Sequence, residues 1–232
     1  MRLDKAAALS GLTRTEARKA ILSGRVKVKG ESVRDAAMQV DPADVCVDGV
    51  RVQAGEVYVM VHKPAGVLTA TEDRRLPTVA DLLPEHLRRR GPGPVGRLDR
   101  DVTGLVIMTT DGQLAHRLIS PRWKAEKVYR ARCEGRLTGE DARRFAEGLE
   151  LSDFTAKPAG LAIIEADDRE SLADVTLTEG KFHQVKRMFE SIGSEVTYLK
   201  RLSMGPLSLD PSLAPGESRR LSEEEMEALG VL

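Results

Sequence analysis

The sequence predicts an α+β protein: a small N-terminal α/β module, then a larger domain built on a mixed, mostly antiparallel sheet. Three observations carry this. The first 35 residues place two short helical patterns and one alternating segment in a compact run. Beyond them, alternating strand-like segments outnumber long helical ones. Adjacent strand–helix–strand units, which would build a parallel sheet, are few. With 232 residues and 41% hydrophobic content, the chain can bury a core in both units.

RLDKAAAL reads as a short helix with Leu3, Ala6 and Ala7 on one side. TRTEARKAILSG follows. Thr13 or Thr15 offers an N-cap, Ala17, Ala20 and Ile21 face inward, and Gly24 ends the helix. RVKVKG alternates, with Val26 and Val28 inward, Lys27 and Lys29 outward, and a turn at Gly30. Arg14, Arg18 and Arg25 fall outside the apolar stripe. Such a basic free face suits a phosphate backbone, and a small solvated module would also carry one. Residues 31–55 read as short strands and turns, with a domain boundary somewhere in 40–58.

The second unit opens with VYVMVH, a β-branched strand broken by Pro64 and Gly66. Residues 72–94 form a loop around a short helix, VADLLPEHL. GLVIMTTDG is a buried strand and turn, and DGQLAHRLI a helix capped by Asp111. EKVYRARC and SLADVTL alternate as strands, and GEDARRFAEGL is helical. FHQVKRMFESIG is amphipathic, with Val185, Met188, Phe189 and Ile192 on one face. LSEEEMEAL closes the chain as an acidic capped helix.

Net charge is zero, with 36 basic and 36 acidic residues, but the distribution is uneven. Residues 1–35 hold nine Lys/Arg against four Asp/Glu, residues 116–132 six against one, and residues 205–232 two against six. A neutral total therefore hides a basic face and an acidic end. Charges interrupt the mildly apolar start, so no signal peptide is expected. No run approaches the ~18 apolar residues of a membrane span. Cys46 and Cys133 lack metal-ligand companions and fit buried thiols in a reducing, cytoplasmic setting. His62, His86, His116 and His183 have no partner at ligand spacing, and GPGPVG lacks the Lys-Ser/Thr of a phosphate loop. Neither a metal nor a cofactor is expected.

Three stretches carry candidate chemistry. GRLDRDVTGL sets Asp99 and Asp101 among Arg97, Arg100 and Gly104. It fits a turn capped by its own carboxylates, or an acid held in a site for a polyanion with Arg97, Arg100 or the Lys186/Arg187 pair as partner. EGKFHQVKRMF puts Lys181, Lys186 and Arg187 at the start of a helix, as a solvated basic face or an anion site. Tyr129, beside Lys127 and Arg130, suits a core position or a base-stacking one.

Together, GRLDRDVTGLVIMTTDG, EKVYRARC and EGKFHQVKRMF occur in the order seen in pseudouridine synthases. The chain resembles the small-subunit (16S) ribosomal RNA branch, the uridine-516 type. MRLDKAAALSGLTRTEARKAILSGRVKVKGE resembles the S4-type RNA-binding module that precedes the catalytic domain there. HKPAGVLTATED is similar to that family's first catalytic strand and loop, and the tail RLSMGPLSLDPSLAPGESRRLSEEE fits as well. Val102-Thr103 and His62 depart slightly from the family pattern, outside the key positions.

The resemblance implies an S4-type domain with its connecting segment over 1–55 and a catalytic domain over 56–232. It implies Asp99 as the catalytic aspartate and Tyr129 as the ring that stacks on the target base and assists proton removal. It implies Lys186 as the cation paired with Asp99, with Arg187 second. Leu202 or Leu199 would wall the base, and Asp101 would be structural. Arg97, Arg100, Arg187 and Leu202 would contact substrate. Arg2, Lys5, Arg14, Arg18, Arg25, Lys27 and Lys29 would serve the RNA-binding module. The implied partner is 16S ribosomal RNA in a partly assembled small subunit, met by a monomer with no membrane association and no cofactor. The alternatives are a 23S ribosomal RNA target and a non-catalytic assembly factor.

Overall fold

The computed structural model describes residues 1–52, 54–120, 122–123 and 125–232. The N-terminal unit runs α1 (Leu3–Ala8), α2 (Arg14–Leu22), β1 (Val26–Val28), β2 (Glu31–Ser32), β3 (Val45–Val47) and β4 (Val50–Arg51). Thr13 caps α2 in a reciprocal box. Its hydroxyl accepts from the Glu16 N–H at 3.2 Å, and the Glu16 carboxylate accepts from the Thr13 N–H at 2.8 Å. The strands form a sheet in the order β2-β1-β3-β4. Leu3, Ala6, Ala7, Ala17, Ala20 and Ile21 bury against Val26, Val45 and Val47. The alanines let the two helices lie close together and close to the strands.

The larger unit contains β5 (Tyr58–Lys63), α3 (Glu85–Arg88), β6 (Gly93–Pro94), β7 (Thr103–Thr109), α4 (Gly112–Ile119), β8 (Lys127–Glu134) and α5 (Gly139–Glu147). It continues with β9 (Gly160–Ala166), β10 (Glu170–Leu177), α6 (Gln184–Ser191), β11 (Val196–Met204), β12 (Leu207–Ser208), β13 (Ser218–Arg220) and α7 (Glu223–Ala228). The sheet order is β13-β5-β7-β11-β8-β10-β9, with β6 on β7 and β12 on β11. Among the strand pairings of this sheet in the described residues, β7–β11 is the parallel one, so the sheet is mixed and mostly antiparallel. Val59, Val61 and Val106 face a core closed by Phe145, Met188 and Phe189. Met60, Leu105 and Ile107 face the opposite core with Leu114, Leu118 and Leu229. Covering on both faces explains why β5 and β7 read as continuous apolar runs.

Several details differ from the sequence expectation. Strands β9 and β11 were not expected, and β11 is central. The helix expected over VADLLPEHL is two pieces, a 3₁₀ turn at Val79–Leu82 and α3. Pro84 drives Leu83 into an extended conformation and separates them. The parallel contact of β7 with β11 also requires glycine. Gly104 has φ +107°, and a Cβ there would lie 2.2 Å from the Arg201 carbonyl oxygen. This close approach brings the Asp99 turn beside β11. No helix among the described residues is long and apolar enough to cross a membrane.

Candidate active site

The turn leading into β7 holds Asp99, and several groups clamp it. Lys63, at the end of β5, is fully buried. Its ammonium donates to the carbonyls of Pro64 at 3.0 Å, Arg100 at 3.1 Å and Val102 at 2.6 Å. All three of its N–H bonds are thus used on backbone. Burial pushes this ammonium down to about 8, against the opposing pull of Asp101 and Asp99. The Gly66 N–H donates to the Arg100 carbonyl at 2.8 Å. Thr69 bonds both the carbonyl and the N–H of Leu98, at 2.8 and 3.1 Å. Asp99 therefore projects from a backbone fixed on both sides.

Asp99 opens into a cavity of about 70 Å³, shared with Arg97, Tyr129, Lys181, His183, Lys186 and Leu199. Tyr129 comes from β8, where alternation turns residues 127, 129, 131 and 133 inward. Leu199 comes from β11, Arg97 from the turn before β7, Lys181 and His183 from the segment leading into α6, and Lys186 from α6 itself. His183 carries Nε2 to within 3.4 Å of Asp99 Oδ1. It occupies the left-handed region, φ +50°, at the N-cap of α6, an uncommon conformation for a non-glycine residue.

The expected pairing of Lys186 with Asp99 is corrected here. Lys186 Nζ lies 2.6 Å from Asp101 Oδ2. That hydrogen bond, first among the causes, holds the Asp101 carboxyl below the usual range. Asp101 is therefore the ion-pair partner of Lys186, one residue beyond a carbonyl that Lys63 holds.

Leu202 is also misplaced by the sequence expectation. It lines a separate cavity with His62, Lys200 and Leu209, whereas Leu199 walls the Asp99 cavity. Leu202 is the extra residue of a bulge in β11 against β8, between Arg201 and Ser203, so it does not share the placement of Leu199. Arg100 is exposed and donates to the Gly66 carbonyl at 3.3 Å. Arg187 is held by Asp153 and by Ser152 at 3.0 Å. Neither lines the cavity. Arg97 does, and it is exposed.

Sequence reasoning passed over His183 as a partner of Asp99 and Lys63 as a buried clamp. The signal for Lys63 was a lysine closing an otherwise apolar strand. His183 offered none, because its meeting with Asp99 depends on tertiary docking.

In the N-terminal unit, Asp4 is buried and draws three arginines. Arg2 Nε lies at 3.2 Å, Arg18 Nε at 3.2 Å and Arg14 Nη1 at 3.4 Å. The three guanidiniums remain 47–58% exposed. Arg25 pairs with Asp48, and Lys29 lies 3.6 Å from Asp44. Lys5 and Lys27 are exposed. The basic face is present, and acids set its geometry and partly neutralise it.

Residues 57–191 match the family model for RNA pseudouridylate synthase, and residues 1–46 match the S4 domain. The chain is 45% identical over 234 residues to an uncharacterized RNA pseudouridine synthase, YtzG, of Bacillus subtilis (strain 168), covering 99% of this chain and 98% of that one. It is 43% identical over 233 residues to ribosomal small subunit pseudouridine synthase A of Escherichia coli (strain K12), covering 97% and 98%. A crystal structure of a pseudouridylate synthase matches with a TM-score of 0.70 at 36% identity, covering 99% of each chain. A carboxylate and a tyrosine sharing one cavity, a basic N-terminal module, and similarity along nearly the whole length agree: the chain belongs to the RNA pseudouridylate synthase family.

Proposed function

We propose that this protein converts one uridine of 16S ribosomal RNA, at position 516, to pseudouridine during small-subunit assembly. The observation that carries the reading is Asp99, projecting from a clamped turn into a cavity it shares with Tyr129 and Lys186. The similarity to ribosomal small subunit pseudouridine synthase A supports the choice of RNA. We assign residues 1–55 to RNA capture and 56–232 to chemistry. The protein works as a cytoplasmic monomer on a partly assembled particle, which accords with its two free cysteines.

The reaction breaks the C1′–N1 bond, turns the uracil and joins C5 to C1′. The C5 proton leaves and N1 gains one, so nothing is oxidised. The nucleotide must leave its stack to reach a recessed carboxylate. Attack at C1′, removal of the C2′ proton and addition to C6 all use a carboxylate at the same place, against the flipped nucleotide. Tyr129 supplies the ring beneath the base and Leu199 the apolar wall. Lys186 acts through Asp101 to hold the turn, a positioning role. Arg97 faces the flanking phosphates.

The test is tritium release from RNA made with 5-tritiated uridine, using 16S transcripts, partly assembled particles and 23S transcripts. One equivalent released from 16S RNA, free or in particles, is expected. Release from 23S RNA alone would overturn the substrate. No release from any of them, with binding retained, would leave an RNA-binding assembly factor.

A further inference from the structure

Phe182 is 74% exposed, the most exposed large apolar side chain among the described residues. It immediately precedes His183, and the two rings stack at 3.7 Å with an interplanar angle of 19°. His183 in turn reaches Asp99 at 3.4 Å. One face of the phenyl ring is therefore fixed on a residue of the cavity, and most of the ring is bare. Cations flank it. Lys181 Nζ sits 3.6 Å above the Phe154 ring, and the Arg187 guanidinium lies 4.9 Å from the same ring. Arg187 also donates to the Phe182 carbonyl at 3.5 Å.

We infer that Phe182 is a stacking platform for an unpaired nucleobase next to the target uridine. This rests on the reading of the cavity as an RNA site. A ring already held in place loses little freedom on binding, and any base offers it a π face. Lys181, its neighbour in the chain, suits a phosphate of the same strand, whereas Arg187 is already paired with Asp153. A protein-docking surface would instead need a contiguous apolar patch, and here the exposed ring is bracketed in the chain by Lys181 and His183.

The test uses the full chain with ribosomal particles and protein-free ribosomal RNA from cells lacking the gene. Phe182→Ala should raise KM roughly tenfold, the scale of one lost base–aromatic stack, with kcat changed less than about twofold. Phe182→Trp should restore KM. In the Asp99→Asn background, direct binding should weaken by the same factor on adding Phe182→Ala. Unchanged KM and unchanged binding would overturn the inference. So would a loss confined to kcat, which would mean that the ring only supports His183. The modified RNA is identified separately: pseudouridine found in 23S RNA would defeat the substrate proposal while the KM comparison still judged Phe182.

Discussion

Lys186 Nζ sits 2.6 Å from Asp101 Oδ2, while Asp99, two residues earlier, faces His183. The lysine thus grips the turn beside the carboxylate we propose as catalytic. Lys186→Met and Asp101→Asn should then produce the same defect. We expect kcat to fall by about 10- to 100-fold in each, with little change in KM, as when a positioning contact is lost. The double variant should be no worse than either single one. Normal turnover in Asp101→Asn beside a severe defect in Lys186→Met would show that Lys186 acts directly on substrate.

Lys63 makes the same turn dependent on alkali. Its folded value near 8 lies below the ordinary 10.5. Between these values the unfolded chain binds more protons than the folded one, so stability gains from this group as pH rises. Wild type should therefore gain on Lys63→Met by up to about 3 kcal/mol between pH 8 and 10.5. Denaturant unfolding of both proteins at pH 7.5 and 10 checks it. An unchanged difference would remove Lys63 from the account.

Asp4 has the same sign at the acid end. The Arg2 hydrogen bond, followed by Arg18, lowers its carboxyl to about 2 from the ordinary 3.8. Its contribution is present above 3.8 and lost as pH falls through 2. Wild type and Asp4→Asn should differ in unfolding at pH 6 and converge near pH 2. Asp4→Asn should also raise KM for RNA a few-fold, since Arg2, Arg14 and Arg18 lose their common anchor. Unaltered KM would separate Asp4 from RNA capture.

Gly104→Ala tests the parallel contact. Its Cβ would meet the Arg201 backbone at 2.2 Å, in a backbone conformation already unfavourable to alanine. A loss of roughly 3 kcal/mol or more is expected, because β7 and β11 must separate. Gly30→Ala, with φ +88° and nothing within 4 Å of its Cβ, should cost only about 1 kcal/mol. Comparable losses at the two positions would contradict the close approach.

Local signals were legible where local physics decides. Thr13, Asp111 and Ser222 cap their helices as their positions suggest, and α6 buries Val185, Met188 and Phe189 as its periodicity requires. Strand β9 escaped notice because it is an edge strand with mostly exposed or half-buried residues, and its sequence lacks a polar alternation. Strand β11 was hidden by Lys200 and Arg201 in its middle. Arg201 is buried, donating to the Leu105 carbonyl at 2.8 Å, and its Nη2 has no hydrogen-bond partner among the described residues. Missing β11 also cost the choice between Leu199 and Leu202, because the bulge at Leu202 breaks the strand's alternation. Asp99, Tyr129 and Lys186 do share a cavity. Which carboxylate Lys186 grips depends on how α6 docks against a turn 85 residues away, and one chain's residue order does not encode that visibly.

The central claim is that Asp99 isomerises a single uridine of 16S ribosomal RNA. The most direct measurement maps pseudouridines, as carbodiimide-dependent reverse-transcription stops, in ribosomal RNA from cells lacking the gene and complemented with wild type or Asp99→Asn. The account predicts one stop, at position 516, lost on deletion, restored by wild type and absent with Asp99→Asn, although that variant still binds the RNA. A 16S pattern indifferent to deletion, or a stop restored by Asp99→Asn, would contradict it.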